Sequence, residues 1–175
     1  MSIFSRLEAI VGPKNVSIEQ ADLEKFGLDR TNIYCSNPRV IVFPTSIDQV
    51  QEVIFLANEL EIPIVPSGGR TGLSGGAVAS KSEIVLSMHK MNSILDVNLN
   101  DRTVTVEAGA TTQEVQEVAT KNGLFYPVNF ASVGSSQIGG NVATNAGGVN
   151  VIKYGMTRDW VLGITAVTGS GELLE

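Results

Sequence analysis

Eleven of the chain's 18 glycines sit in two short windows, five between Gly68 and Gly76 and six between Gly134 and Gly155. Glycine is favoured where the backbone takes a positive φ, turns tightly or lets another group come close, so this clustering fixes two stretches of special backbone. The first window, PSGGRTGLSGGA over residues 66–77, follows directly on the apolar run IPIVP. Consecutive N–H groups in such a loop can point into one concavity and grip an anion, which makes the segment a candidate phosphate cradle. It lacks the Lys-Ser or Lys-Thr that closes a Walker loop, and its spacing does not fit GxGxxG. A tight turn under a neighbouring strand is the plainer alternative. Five glycines with Thr71 and Ser74 among them exceed what a turn needs.

The second window, NFASVGSSQIGGNVATNAGG over residues 129–148, holds no charged side chain. A solvated loop would carry some charge, so this stretch is expected to pack against something polar and compact, offering hydroxyls, amides and backbone N–H groups. A long, flat, twice-phosphorylated cofactor lying across both windows would satisfy those donors, with its pyrophosphate on the N–H cluster. A packed small-residue core segment is the alternative reading.

Composition narrows the function further. Twelve Lys and Arg stand against 18 Asp and Glu, a net charge of −6, so no basic surface is ready to neutralise nucleic-acid phosphates. The single cysteine, Cys35, excludes an intrachain disulfide and a CxxC metal site and fits a reducing compartment. No apolar run approaches the roughly 20 residues of a spanning helix, and Arg6 and Glu8 break any signal-peptide pattern. The chain therefore reads as cytoplasmic, with peripheral membrane association left open.

Periodicity places the windows among ordinary elements. Ile3, Phe4, Leu7, Ile10 and Val11 have helical spacing up to Gly12-Pro13, and a short helix over residues 19–26 ends at Gly27. RVIVFP reads as a buried strand, followed by a helix capped at Ser46 with Gln49 completing a capping box, then by the strand IPIVP. This order is a βαβ unit, for which parallel pairing is expected. EIVLS over residues 83–87 is another strand, residues 94–99 and 103–107 form an antiparallel hairpin, and Thr111 with Glu114 caps a helix stopped by Gly123. The last 16 residues read as two strands about Gly169-Ser170-Gly171, with no closing helix, so the chain is expected to stop inside a domain.

The runs PSGGRTGLSGGA, VEAG, GLFYP, ASVGSSQIGGNVATNAGG and KYGMTRDWVLGI stand in the order found in FAD-linked dehydrogenases of the vanillyl-alcohol oxidase and PCMH type. From about Asn37 onward the chain most resembles the branch that contains D-lactate dehydrogenase, D-2-hydroxyglutarate dehydrogenase and the D-type component of glycolate oxidase. The resemblance implies an α+β fold, a PCMH-type FAD-binding domain of two α/β subdomains truncated at the C-terminus. Residues 1–36 would form a helical lead, 37–97 the first subdomain and 98–175 an incomplete second one.

In that family FAD lies between the subdomains with its pyrophosphate on the first glycine loop, which Pro66, Gly68, Gly69, Arg70, Thr71, Gly72 and Leu73 match here. The second motif lines the flavin and ribityl region. It implicates Ser132, Gly134, Ser135, Ile138, Gly139, Gly140, Asn141, Thr144, Asn145, Gly147 and Gly148, with Gly109 and Gly155 as further candidates. Members that bond flavin covalently have a His in or near the first loop, where this chain has Arg70, so its FAD is expected to be noncovalent. The implied reaction takes a hydride from the carbinol carbon of a small 2-hydroxy acid to the flavin while a base takes the hydroxyl proton. The family places that base and the carboxylate grip on a C-terminal domain, expected to be missing here, so no catalytic residue is assigned within the chain. The electron acceptor is unassigned, and an unfinished sheet edge would allow two copies to pair.

Two other readings stay open: a noncatalytic nucleotide-binding or assembly subunit, and an alcohol or sugar oxidase sharing the FAD domain. Remaining residues read as structural. His89 has no partner motif and suits surface or capping duty, Cys35 has no Cys or His companion, and Trp160 reads as a core anchor beside a possible Arg158–Asp159 ion pair.

Overall fold

Caps decide where the helices start. In the computed structural model, which describes residues 2–31 and 33–175, α1 (Ile3–Val11) begins on Ser2, whose hydroxyl accepts from the Ser5 N–H, and stops at Gly12 with φ at 85°. β1 (Val16–Ser17) follows, then α2 (Gln20–Phe26), which ends at Gly27. After β2 (Val40–Val42), α3 (Ile47–Glu59) begins on Ser46, whose Oγ accepts from the Gln49 N–H. The Gln49 carboxamide does not return to Ser46 as expected. Its Oε1 accepts from the N–H and the hydroxyl of Thr45 at 2.8 and 3.1 Å, so the two competing caps share the work.

β3 (Ile64–Ser67) and β4 (Ile84–Ser87) complete a four-stranded sheet in the order β1-β2-β4-β3. β1 is antiparallel to β2, and β2, β4 and β3 run parallel. The βαβ expectation holds for direction, but β3 does not pair with β2; β4 lies between them. β4 is buried along its whole length, and a strand covered on both faces reads as an unbroken apolar run with no period. That is why IVL alone could not reveal a central position. Leu7 and Val11 of α1, Val53 and Ala57 of α3 and all of β2 are buried with it. A second cluster gathers Phe26, Ile41, Phe43, Ala79 and Val85.

Residues 91–162 form a second compact unit. β5 (Ile94–Asn98) and β6 (Thr103–Val106) make the expected antiparallel hairpin, with one register irregularity. α4 (Thr112–Lys121) carries the complete capping box, Thr111 accepting from the Glu114 N–H while the Glu114 carboxylate accepts from Thr111. α5 (Ile138–Thr144) and α6 (Val151–Tyr154) are short helices inside and just after the second glycine window.

The tail, β7 (Ala166–Val167) paired with β8 (Leu173–Leu174), belongs to the first unit with the chain up to Lys90. Its glycine turn docks on α3: Gln51 donates to the Gly171 carbonyl and Asn58 to the Gly169 carbonyl, both at 2.8 Å. A division at 97/98 would cut β5 within a registered hairpin, and the structure divides instead after Lys90 and again after Leu162. Within the first unit α1 packs on α3, and Arg6 pairs with Glu59 at 2.5 Å.

Trp160 lies in a 3-10 turn and is 43% exposed, so it is no core anchor; its indole N–H donates to the Tyr154 carbonyl. Arg158 and Asp159 do not pair. The Arg158 backbone N–H donates to Asn145, and the Asp159 carboxylate accepts from the Met156 N–H. Among the described residues no helix is long and apolar enough to cross a membrane, and no three His, Cys, Asp or Glu side chains converge as a metal site would require.

Candidate functional site

The first glycine loop leaves the sheet at Ser67, which is paired in register with Ser87 and is 1% exposed. Its hydroxyl is buried without a hydrogen-bond partner. A buried polar atom with no partner costs free energy, so its presence beside a glycine loop points to a ligand group that completes it. Sequence reading passed over this serine between Pro66 and Gly68, although a hydroxyl at the buried end of an apolar strand was the available signal.

Positive φ is not where the glycines suggested. In the loop only Arg70, at 55°, and Gly75, at 78°, adopt it. Gly72 and Gly76 instead face open space, with nothing within 4 Å of where a Cβ would stand. Their lack of a side chain leaves room beside the backbone, as a cradle for a bulky anion requires. Pro66, Gly72 and Leu73 are exposed, while Gly68, Gly69, Arg70 and Thr71 are half-buried. The Arg70 guanidinium stands over the Phe26 ring, 4.5 Å from its centroid, and donates to the Gly68 carbonyl at 2.9 Å. Burial draws its pKa down from the ordinary guanidinium value.

Asp29, absent from the expected site, touches this loop directly. One of its carboxylate oxygens accepts from the Gly75 N–H at 2.9 Å, and the other accepts from the N–H and the hydroxyl of Thr31. The Thr31 hydroxyl, more than any other group, holds the Asp29 carboxyl below the ordinary aspartate range, against an opposing pull from burial.

In the second unit, a buried polar network locks the window to α4. Asn141 donates to the Thr112 hydroxyl at 2.7 Å and accepts from the Ser136 hydroxyl, and the Ser136 carbonyl accepts from the Thr112 N–H at 3.0 Å. Gly139 and Gly140 divide two tasks. A Cβ on Gly139 would lie 2.8 Å from the Ala108 Cβ, so this glycine lets α5 close on the chain after β6, whereas Gly140 faces open space. Gln137, 6% exposed, buries its side-chain oxygen without a partner just before α5.

Several expected contact residues therefore have work within the chain. Asn141 belongs to the buried network. Asn145 ends α5 at a left-handed φ of 50° with its amide committed to Met156 and Arg158. Thr144 donates back to the Gly140 carbonyl, and Gly148, with φ at 123°, backs onto the Asn129 carbonyl. Gly155 is held at φ 78° against Asp159, and Gly147 lies beside Met156. Gly109 is buried and donates to the Met91 carbonyl. Ser132, Gly134, Ser135 and Ile138 line the turn before and at the start of α5, with Gly134 and Ser135 exposed. Two surface depressions in this unit, of about 460 and 200 Å³, are lined by α4 and, for the smaller, by Phe125, Tyr126, Asn129 and Asn150, and by none of the expected residues.

Removing the Asn141 amide strands hydroxyls in an interior from which water is largely excluded. Asn141→Ala is expected to lower the unfolding free energy by about 2 kcal/mol, read by urea denaturation at unchanged m-value.

Comparison with known proteins identifies the class to which this arrangement belongs. Residues 38–175 match the family model described as an FAD binding domain, and the chain belongs to that family. It is 53% identical over 169 residues to D-2-hydroxyglutarate dehydrogenase from Xanthomonas citri pv. viticola, covering 97% of this chain and 36% of that protein. It is 41% identical over 170 residues to D-lactate dehydrogenase from Anaerostipes hadrus, covering 94% and 35%. Its fold matches a crystal structure of p-cresol methylhydroxylase with substrate bound, with a TM-score of 0.82 at 24% identity over 98% of this chain and 34% of that one. The expectation of a PCMH-type FAD-binding fold is thereby borne out. The chain spans about a third of the length of the curated relatives it matches.

Proposed function

We propose that this chain is the FAD-binding portion of a flavoprotein that oxidises a D-2-hydroxy acid to the 2-oxo acid, with FAD held noncovalently. The carrying observation is the first loop: a buried, partnerless Ser67 hydroxyl beside glycines whose open sides leave space for a diphosphate. Backbone N–H groups of residues 68–73 hold the diphosphate. Bound FAD supplies the hydride acceptor. The substrate class rests on relatives named for D-2-hydroxyglutarate and D-lactate, both D-2-hydroxy acids.

Noncovalent binding has its own support. Neither residues 66–77 nor residues 129–148 contain a His, Cys or Tyr that could bond the flavin, Cys35 lies outside both, and His89 stands after β4 beside Phe26.

FAD titrated into the purified chain is expected to bind with quenching of its fluorescence and to be released intact by acid precipitation. Flavin remaining in the pellet would refute noncovalent binding, and no binding at all would refute the cradle. In a polypeptide of the relatives' full length, anaerobic bleaching by D-2-hydroxyglutarate or D-lactate is expected. A bound but unbleached flavin would favour a noncatalytic binding role.

A further inference from the structure

Three contacts reach the first glycine loop from residues that precede β2, and none belongs to the loop's own motif. The Phe26 ring, at the end of α2, carries the Arg70 guanidinium on its face. The Asp29 carboxylate takes the Gly75 N–H across 46 positions of sequence. The Tyr34 ring lies so close to Gly75 that a Cβ there would meet it at 3.0 Å. Two backbone hydrogen bonds frame the loop's exit, from the Ala79 N–H to the Gly27 carbonyl and from the Asn37 N–H to the Ala79 carbonyl.

The contacts fall on Arg70, which pays for its backbone conformation, and on Gly75, which adopts the same region freely and is therefore fixed only by what grips it. Arg70 and Gly75 are the positions with positive φ. For a residue with a side chain that conformation is costly and persists only where its surroundings hold it. Phe26 holds the first. Asp29 and Tyr34 hold the second.

We propose that Phe26, Asp29 and Tyr34 form a clasp that sets the conformation of the glycine loop in advance of ligand, with Asp29 as its positioning residue. Asp29 need not touch FAD. By fixing the Gly75 amide it keeps the loop's other N–H groups converged, so that binding loses less conformational freedom. This rests on the reading of the loop as the cradle for the FAD diphosphate, but the clasp itself is testable without any cofactor.

Asp29→Asn is the informative variant. The carboxylate receives three donors on two oxygens; an amide keeps its one oxygen on the two Thr31 donors and turns its N–H toward Gly75, so the Gly75 grip is the one lost while size is kept. In the flavin-free chain the Gly75 amide is expected to exchange its hydrogen about tenfold faster or more, since a hydrogen bond to a charged acceptor is removed. FAD affinity is expected to fall by a similar factor, about tenfold. Val53→Ala, a core truncation on α3, provides the control for general loosening. It is expected to lower the melting temperature without changing Gly75 exchange or FAD affinity. Unchanged Gly75 exchange in Asp29→Asn, or equal acceleration in Val53→Ala, would overturn the clasp. Accelerated exchange with FAD affinity retained would remove Asp29's positioning role. If the unaltered chain binds no FAD, the proposed function fails while the exchange result still decides the clasp.

Discussion

Gly72→Val is expected to leave the fold intact and to reduce FAD affinity by about 100-fold or more, equivalent to roughly 2.7 kcal/mol. The asymmetry follows from geometry. Gly72 does not adopt a positive φ, and nothing within the chain lies within 4 Å of a Cβ placed there, so the protein itself has no objection to a side chain. The unfolding free energy should move by no more than about 0.5 kcal/mol, as for an ordinary surface substitution. An isopropyl group would instead fill the space beside the loop that a diphosphate needs. Thermal denaturation without cofactor and fluorescence titration with FAD separate the two effects. Loss of stability would make Gly72 a structural glycine, and unimpaired binding would remove it from the cradle.

Gly148→Val is expected to do the opposite, costing the flavin-free protein about 3 kcal/mol or more. Here φ is 123°, a conformation that L side chains rarely adopt, and a Cβ would fall within the van der Waals envelope of the Asn129 carbonyl. That obstacle is backbone, anchored by the hydrogen bond from the Val149 N–H to the same carbonyl at 2.8 Å, so it cannot swing aside as a side chain could. Urea denaturation of the flavin-free chain checks this directly. Stability equal to the unaltered protein would show that the 129–149 contact yields without cost.

The contrast between these glycines shows where sequence reading reached its limit. The two windows were legible because glycine clustering and absence of charge are properties of composition. Which glycine serves the chain and which faces a ligand depends on what lies opposite, and nothing local encodes that. Gly139 and Gly140 are neighbours of identical chemistry, yet one abuts Ala108 and the other faces open space. The helices with Ser46 and Thr111 caps, and the β5–β6 hairpin, were legible because their signals are short-range. The position of β4 between β2 and β3 was not, since a parallel strand buried on both faces carries no periodic mark of its neighbours. Asp29 was passed over for a related reason. Its acceptor role is satisfied by a group 46 positions away, and an isolated aspartate in a loop resembles any other solvated carboxylate.

The family match begins at residue 38, downstream of Phe26, Asp29 and Tyr34. A polypeptide trimmed to that point would keep every letter of the glycine motif while discarding the braces behind it. On the proposed clasp, the minimum length needed for grip exceeds the minimum needed for likeness.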